Sequence, residues 1–551
     1  MTRHPLLQTI LAALSVVIAD GVQAQSGDWI AWRGTSLSHG YSALDQVNRD
    51  TVGDLRLAWA WAIEEGISQP APIVRDGVMY LTGPGGIVRA LDAATGDVQW
   101  EYRHRVGGPL ANAMRGPAGT TRGVGVDGDK VFLAAPDARL VALEAATGAV
   151  VWETEVASVD DGFRFNATPV IARGVVIVGL NGCRKFIEEK CAITGHDAET
   201  GERLWRIPTI PGADDPGGDT WDDLAPIYRG GTGMWLTGSY DPDLNLVYWA
   251  TSQAKPWARV ARGTDGDALF SNTTLAFRPE TGEMVWYRQT IRGETHDLDE
   301  AYESILVDRD SRQSLFKMGK IGILWELNRE TGEVVGATDL GYQNLVDLDR
   351  STFEVQYRLD KIPQLGEPVD QCPGNLGFRN WPSIAFSPET DAFYIPVMMA
   401  CAHHRYVPVE LVPGGGGFGD GGSRSYFHPD ADEQLGRLVA LSASGDRLWE
   451  HSQRAAFTTA ALTTAGGVVF IGDADRYIRA FDTATGDVLW ETRAQAGGQG
   501  FPMTYSAGGR QFIAVPVGGG AILPGATHVE LTPELTRPTG GNALMVFALP
   551  D

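Results

Sequence analysis

The stretch "LDAATGDVQW", ending at Trp100, recurs with small changes along the chain. "LEAATGAVVW" ends at Trp152, "HDAETGERLW" at Trp205, "FRPETGEMVW" at Trp286, "LNRETGEVVG" at Gly336, "LSASGDRLW" at Trp449 and "FDTATGDVLW" at Trp490. A repeat of this length constrains the fold more than any local propensity, because each unit must bury its apolar face against a neighbour. Each unit reads as an alternating strand running into Asp or Glu, a T-G or S-G turn where Gly supplies positive φ, and a second strand ending in Trp. Upstream segments such as "KVFLAAP" and "GVVIVGL" bring the total to roughly four strands per unit. With "DLRLAWAW" near Trp59 opening the series, the count predicts an all-β, eight-bladed β-propeller closed by its N- and C-terminal strands. The wider gaps before Trp286 and Trp449 predict insertions that carry sites on a propeller face.

The N-terminus predicts export. Arg3 and His4 precede an apolar run from Leu6 to Ile18, and Val22-Gln23-Ala24 has the small-residue pattern of a signal-peptidase site. The expected organisation is a cleaved signal peptide over residues 1–24 and a single propeller domain over 25–551. The apolar run is short for a membrane span and no later segment offers about 20 unbroken apolar residues, so a soluble periplasmic protein is expected. Cys183, Cys191, Cys372 and Cys401 are an even set in a chain bound for an oxidising compartment, most simply paired Cys183–Cys191 and Cys372–Cys401. No C-x-x-C occurs, which argues against a metal cluster, and no C-x-x-C-H, which excludes covalent c-type haem. A net charge of −24 argues against nucleic acid and anionic membrane as partners and permits steering of a basic one.

One segment concentrates charge. "RGETHDLDEAYES", residues 292–304, holds five carboxylates, and Asp297 and Asp299 are separated by a single leucine. On an extended backbone residues two apart point to the same side, so both could serve one cation or one proton. A solvated acidic loop is the competing reading.

The D-x-x-T-G-x-x-x-W repeat and the opening "HGYSALDQVNRDTVGDLRLAWAW" together resemble the pyrroloquinoline quinone (PQQ)-dependent alcohol dehydrogenases, eight-bladed quinoproteins, over essentially the whole mature chain. The repeat is shared with noncatalytic assembly propellers, so the site motifs carry the distinction. "GGTGMWLTGSYDPDLNLVYW" resembles the family stretch whose Thr bonds the cofactor and whose Trp forms the floor under its ring, implying Thr232 and Trp235. "GKIGILWELNRETG" implies Lys320 as the cationic group at the quinone carbonyls, "GFRNWPSIAFSPET" implies Asn380 and Trp381 at the cofactor edge, and "TTRGVG" implies Arg122 on a PQQ carboxylate. The family glutamate of the first blade is represented by Gln69. Cys372 and Cys401 flank the Asn-Trp segment as a family disulfide does.

By the same resemblance "THDLD" implies Asp297 as catalytic base and metal contact, with Asp299 as the additional carboxylate found in lanthanide-using members. A second carboxylate favours a trivalent, higher-coordinate ion by charge count, and calcium is the alternative. Gln253 in "ATSQAKPW" implies an amide ligand, and the loop "NGCRKFIEEKCAITG" leaves Glu188 and Glu189 as candidates for the family's glutamate ligand. His296 is expected to be a structural neighbour, since hard ions prefer oxygen. The sequence departs from the family at three places: "AMRGPAGTTRG" replaces a vicinal Cys-Cys, Thr458 beside Phe457 replaces a Trp, and Gln69 replaces Glu. The implied activity is oxidation of an alcohol to the aldehyde or ketone, with electrons passing to a separate acceptor such as a soluble cytochrome c. The rival readings are a noncatalytic protein-binding propeller and a same-family enzyme for aldehydes, sugars or bulky secondary alcohols. The Gly-rich stretch 412–424 reads as an ordinary loop or as part of a lid over the mouth.

Overall fold

The repeat's aspartate shapes its turn through its side chain. Asp92 Oδ1 accepts from the backbone N–H of Ala94 and Thr95, both at 2.9 Å, and Asp197 and Asn328 do the same in their own turns. The turn joins the third and fourth strands of an antiparallel meander, as in Ile73–Arg75, Val78–Gly83, Ile87–Asp92 and Val98–Arg103.

The computed structural model describes residues 27–106, 116, 119–309, 312–519 and 525–550. The signal-peptide segment and most of "AMRGPAG" lie outside these residues. Among them are eight sheets of four or five strands. Six run in chain order, two of them with an insertion between neighbours, and a seventh adds Tyr41–Ser42 in parallel beside four consecutive strands from Leu462 to Arg493. The eighth is composite: Arg56–Ala62 pairs with Ala543–Ala548, which continues into Arg510–Val517 and Met503–Ala507. The expected closure of N-terminal on C-terminal strand is therefore present.

Tryptophan and glycine of the repeat belong to one contact between consecutive sheets. Trp100 Nε1 donates to Ala145 O at 2.9 Å, and a Cβ on Gly148 would stand 2.5 Å from the Trp100 ring. The same pair recurs as Trp152 on Gly201, Trp205 on Gly282, Trp286 on Gly332 and Trp449 on Gly486. Glycine is thus required twice over, by its positive φ and by the ring lying on it.

The segment before the first sheet runs across the inner strands. Val74 and Trp29 exchange backbone bonds, Tyr240 N donates to Ser36 O, Leu306 N to Leu37 O, Phe386 N to His39 O and Thr463 N to Gly40 O. Buried Arg33 donates to the carbonyls of Ile384 and Ala461. Both expected disulfides are formed, Cys183–Cys191 and Cys372–Cys401. Among the described residues no helix is long and apolar enough to cross a membrane.

Candidate functional site

The acidic segment is not a solvated loop. Asp297 and Asp299 are buried, and Glu300 and Glu303 are fully so. Its anchors are local and polar: Asn272 Nδ2 donates to Leu298 O at 2.8 Å, Lys317 Nζ to Glu300 O at 2.9 Å, and Arg379 donates to both oxygens of Glu303 at 2.6 and 2.9 Å. Asp297 itself holds φ at +67°, a left-handed conformation that Asp tolerates better than bulkier residues. These anchors oppose that local strain.

Lys320 bridges the pair. Its Nζ lies 2.8 Å from Asp299 Oδ2 and 3.2 Å from Asp297 Oδ2, and donates to Asp297 O at 2.8 Å. The Lys320 N–H donates to Asp299 O at 3.1 Å, and Gly377 lies against the stem of its side chain. Burial pushes the Asp297 carboxyl well above the usual carboxylate range; Lys320 opposes the shift and Asp299 reinforces it. Burial disfavours the Lys320 ammonium, yet the two carboxylates hold its pKa above the ordinary lysine value. Gln253 completes the group: its backbone N–H donates to Asp299 Oδ1 at 3.2 Å and its Nε2 to Asp297 Oδ1, while its Oε1 is buried without a partner.

An aromatic floor lies beside these charges. Trp235 meets Tyr302 edge-to-face with centroids 5.0 Å apart, and Arg379 lies 4.4 Å over the Tyr302 ring. Trp32, Trp381 and Phe501 belong to the same cluster, with Trp381 and Phe501 centroids 5.7 Å apart. Arg122 donates to Trp235 O and to Asn166 O at 3.2 Å, leaving its Nε buried and unpartnered. Burial pushes the Arg122 guanidinium down to about 9, the environment in which an anion is most welcome. Gln69 Oε1, Thr121 Oγ1 and Thr458 Oγ1 are also buried without partners.

These open valences fit a flat polar cofactor bearing carboxylates: a π-platform from Trp235, a cation from Lys320 and unfilled hydrogen-bond positions from Gln69 and Arg122. The oxygens of Asp297, Asp299 and Gln253 fit a hard cation.

Other expected residues sit differently. Thr232 is buried, but its hydroxyl is engaged by Gly231 O at 2.7 Å and Thr209 Oγ1 at 2.8 Å. Asn380 spends its side chain locally, donating to Leu376 O at 3.0 Å and accepting from Trp381 N at 2.9 Å. Glu188 and Glu189 are exposed, and Glu189 pairs with Arg206 at 2.6 Å. Among the described residues no third carboxylate, His or Cys joins Asp297 and Asp299 within ligand reach. The loop closed by Cys183–Cys191 presents both glutamates to solvent, which corrects the expectation that one of them reaches the metal. His296 is a structural neighbour as expected: burial pushes it down to about 3, so it is neutral, and its Nδ1 meets Gln371 Oε1 at 3.1 Å.

Sequence reasoning missed Tyr302, Trp32 and Phe501, which join Trp235 and Trp381 in one cluster. Tyr302 stands in the acidic segment already singled out, and its place there among five carboxylates was the available signal. The Gly-rich stretch is pinned rather than loose, with Gly414 N donating to Phe186 O at 2.7 Å and Trp257 N to Phe418 O at 2.9 Å.

Comparison with known proteins bears on this constellation. Residues 29–339 and 433–513 match the β-propeller domain of the PQQ glucose/ethanol/alcohol dehydrogenases. A quinohemoprotein alcohol dehydrogenase of Comamonas testosteroni is 30% identical, the alignment covering 93% of this chain and 76% of that one. Quinoprotein alcohol dehydrogenase PedH of Pseudomonas putida is likewise 30% identical, over 93% of this chain and 89% of its own. The solved structure of a europium-containing methanol dehydrogenase superposes with a TM-score of 0.87 at 26% identity, covering 96% of this chain and 99% of the other.

Proposed function

Because the chain belongs to the PQQ-dependent alcohol dehydrogenase family of β-propellers, we propose that Asp297 is its catalytic base and that Lys320, Trp235, Arg122 and Gln69 form its cofactor pocket. The protein is a quinoprotein oxidoreductase that takes an alcohol as substrate and passes electrons to a redox partner. The observation that carries the residue assignment is the buried Asp297–Lys320–Asp299 triad beside an aromatic floor with unfilled polar positions.

When bound, PQQ supplies a two-electron acceptor that no side chain offers. The chain supplies the rest. Asp297 receives the hydroxyl proton of the alcohol, help worth about 10²–10⁴-fold in rate. Its raised pKa makes it a stronger base than an exposed aspartate once ionised. Lys320 would offer its positive charge to the quinone carbonyls, in a buried setting where such charge counts for more than in water. Trp235 and Arg122 orient the cofactor by stacking and by guanidinium–carboxylate bonding. Asp297, Asp299 and Gln253 would hold a metal ion, a lanthanide or calcium, which would supply Lewis acidity at the site. Export to the periplasm rests on the N-terminal segment, and transfer to a soluble cytochrome c on the chain's acidity and the lack of a haem motif.

The test is a titration of the purified protein with PQQ, followed by absorbance, then dye-linked oxidation across primary, secondary and aromatic alcohols. Saturable uptake with alcohol turnover is expected. A protein that takes up no PQQ is a binding propeller instead.

A further inference from the structure

The aromatic floor is gripped by a buried cation. Arg379 Nη2 donates to both oxygens of Glu303, at 2.6 and 2.9 Å, while its Nη1 donates to Met318 O at 2.6 Å, so the planar guanidinium is fixed in orientation. Its Cζ stands 4.4 Å from the centre of the Tyr302 ring, and the Tyr302 hydroxyl donates to Arg379 O at 3.2 Å. One residue thus holds Tyr302 by both ring and hydroxyl. Tyr302 in turn meets Trp235 at 5.0 Å, with the ring planes 78° apart. The order along the chain agrees with this geometry: Glu303 directly follows Tyr302, Arg379 directly precedes Asn380 and Trp381, and Met318 stands two residues before Lys320. The clamp therefore ties together three segments that carry expected cofactor contacts. Glu303 is itself immobilised, since it also accepts from Ile384 N at 2.9 Å and Ser383 Oγ at 3.2 Å. A buried ion pair adds little net stability over an apolar pair of similar volume, so stability is a poor account of this charge beside the floor.

We propose that Arg379 is a positioning residue of the cofactor platform: clamped by Glu303 and Met318, its guanidinium fixes Tyr302, and Tyr302 sets the tilt of Trp235. The inference rests on the quinoprotein reading of the site and deepens it by assigning a residue that acts only through others. Edge-to-face packing is directional, so a tilt lost at Tyr302 passes to Trp235. Lysine cannot take this role. Its ammonium keeps a charge for Glu303 but lacks the flat face and the fork that engage Tyr302, Glu303 and Met318 O together.

The experiment is an absorbance titration with PQQ, calcium being present, of wild type, Arg379→Lys, Trp235→Leu and the double variant. Arg379→Lys is expected to weaken PQQ binding about three- to tenfold, the size of a lost aromatic stack. In the Trp235→Leu background the same substitution is expected to change affinity by less than about twofold, since the group it positions is gone. Near-UV circular dichroism of the cofactor-free protein is the second readout, in which Arg379→Lys should alter the aromatic signal while the far-UV spectrum stays that of wild type. Wild-type affinity in Arg379→Lys, an unchanged near-UV spectrum, or a loss of equal size in both backgrounds would overturn the proposal, the last marking a general structural role. Should Arg379→Lys not fold, Tyr302→Leu takes its place with the same expectations in the two backgrounds. Failure of the parent reading would remove the proposal too, and is told apart because the wild type then takes up no PQQ.

Discussion

Asp297 is held at positive φ, buried, and bonded by Lys320 and Gln253, a combination that favours function over stability. Asp297→Asn keeps the shape and removes the base, so dye-linked alcohol oxidation should fall by about 10²–10⁴-fold while PQQ uptake persists. The same substitution has a stability consequence of fixed sign. The folded pKa of Asp297 stands above its unfolded value, so its contribution to stability is complete below the unfolded pKa and is lost as pH rises through the folded one. Thermal melts of the metal-free, cofactor-free protein should show wild type losing stability from about pH 4 upward, with Asp297→Asn flatter and more stable at neutrality. Trp235 acts through its π-face. Replacing it with Leu should weaken PQQ binding about three- to tenfold in an absorbance titration, the loss of about 0.5–1.5 kcal/mol of stacking, with Trp235→Phe intermediate.

The element that builds the molecule is the hairpin whose glycine receives the preceding sheet's tryptophan. Gly332 and Gly341 separate the two demands on such a glycine. Both have positive φ, +72° and +82°, but a Cβ on Gly332 would lie 2.4 Å from the Trp286 ring, while one on Gly341 meets nothing within 4 Å. Urea denaturation should place Gly332→Ala below Gly341→Ala by about 1–3 kcal/mol, the overpacking contribution alone. This element was legible in the sequence because Asp, Gly and Trp recur at fixed spacing and each answers a local or nearest-neighbour requirement. The site loops were legible only in part. Asp297, Lys320 and Gln253 do converge, yet the loop carrying Glu188 and Glu189 turns them outward, because its direction follows from the disulfide and from packing against Gly415 and Gly416 rather than from its own composition.

At the scale of the whole molecule, one strand joins the ends. Ala543–Ala548 lies between Arg56–Ala62 and Arg510–Val517, burying Leu544, Val546 and Phe547. Each such side chain contributes about 1.5–3 kcal/mol, together comparable with a net stability of about 5–15 kcal/mol. Truncation before Ala543 should therefore abolish a cooperative unfolding transition in calorimetry, whereas removal of Asp551 alone should leave it intact. The sequence by itself determined the repeated hairpin, the tryptophan docking, the closing strand and the types of residue at the centre, since each rests on short-range stereochemistry or on a periodic pattern. Only the tertiary structure decided that the acidic stretch is buried, that Tyr302 stands against Trp235, and that Lys320 bridges Asp297 and Asp299. Those outcomes depend on where insertions from separate sheets meet, and charges distant in sequence find one another only when the closed fold removes the water between them.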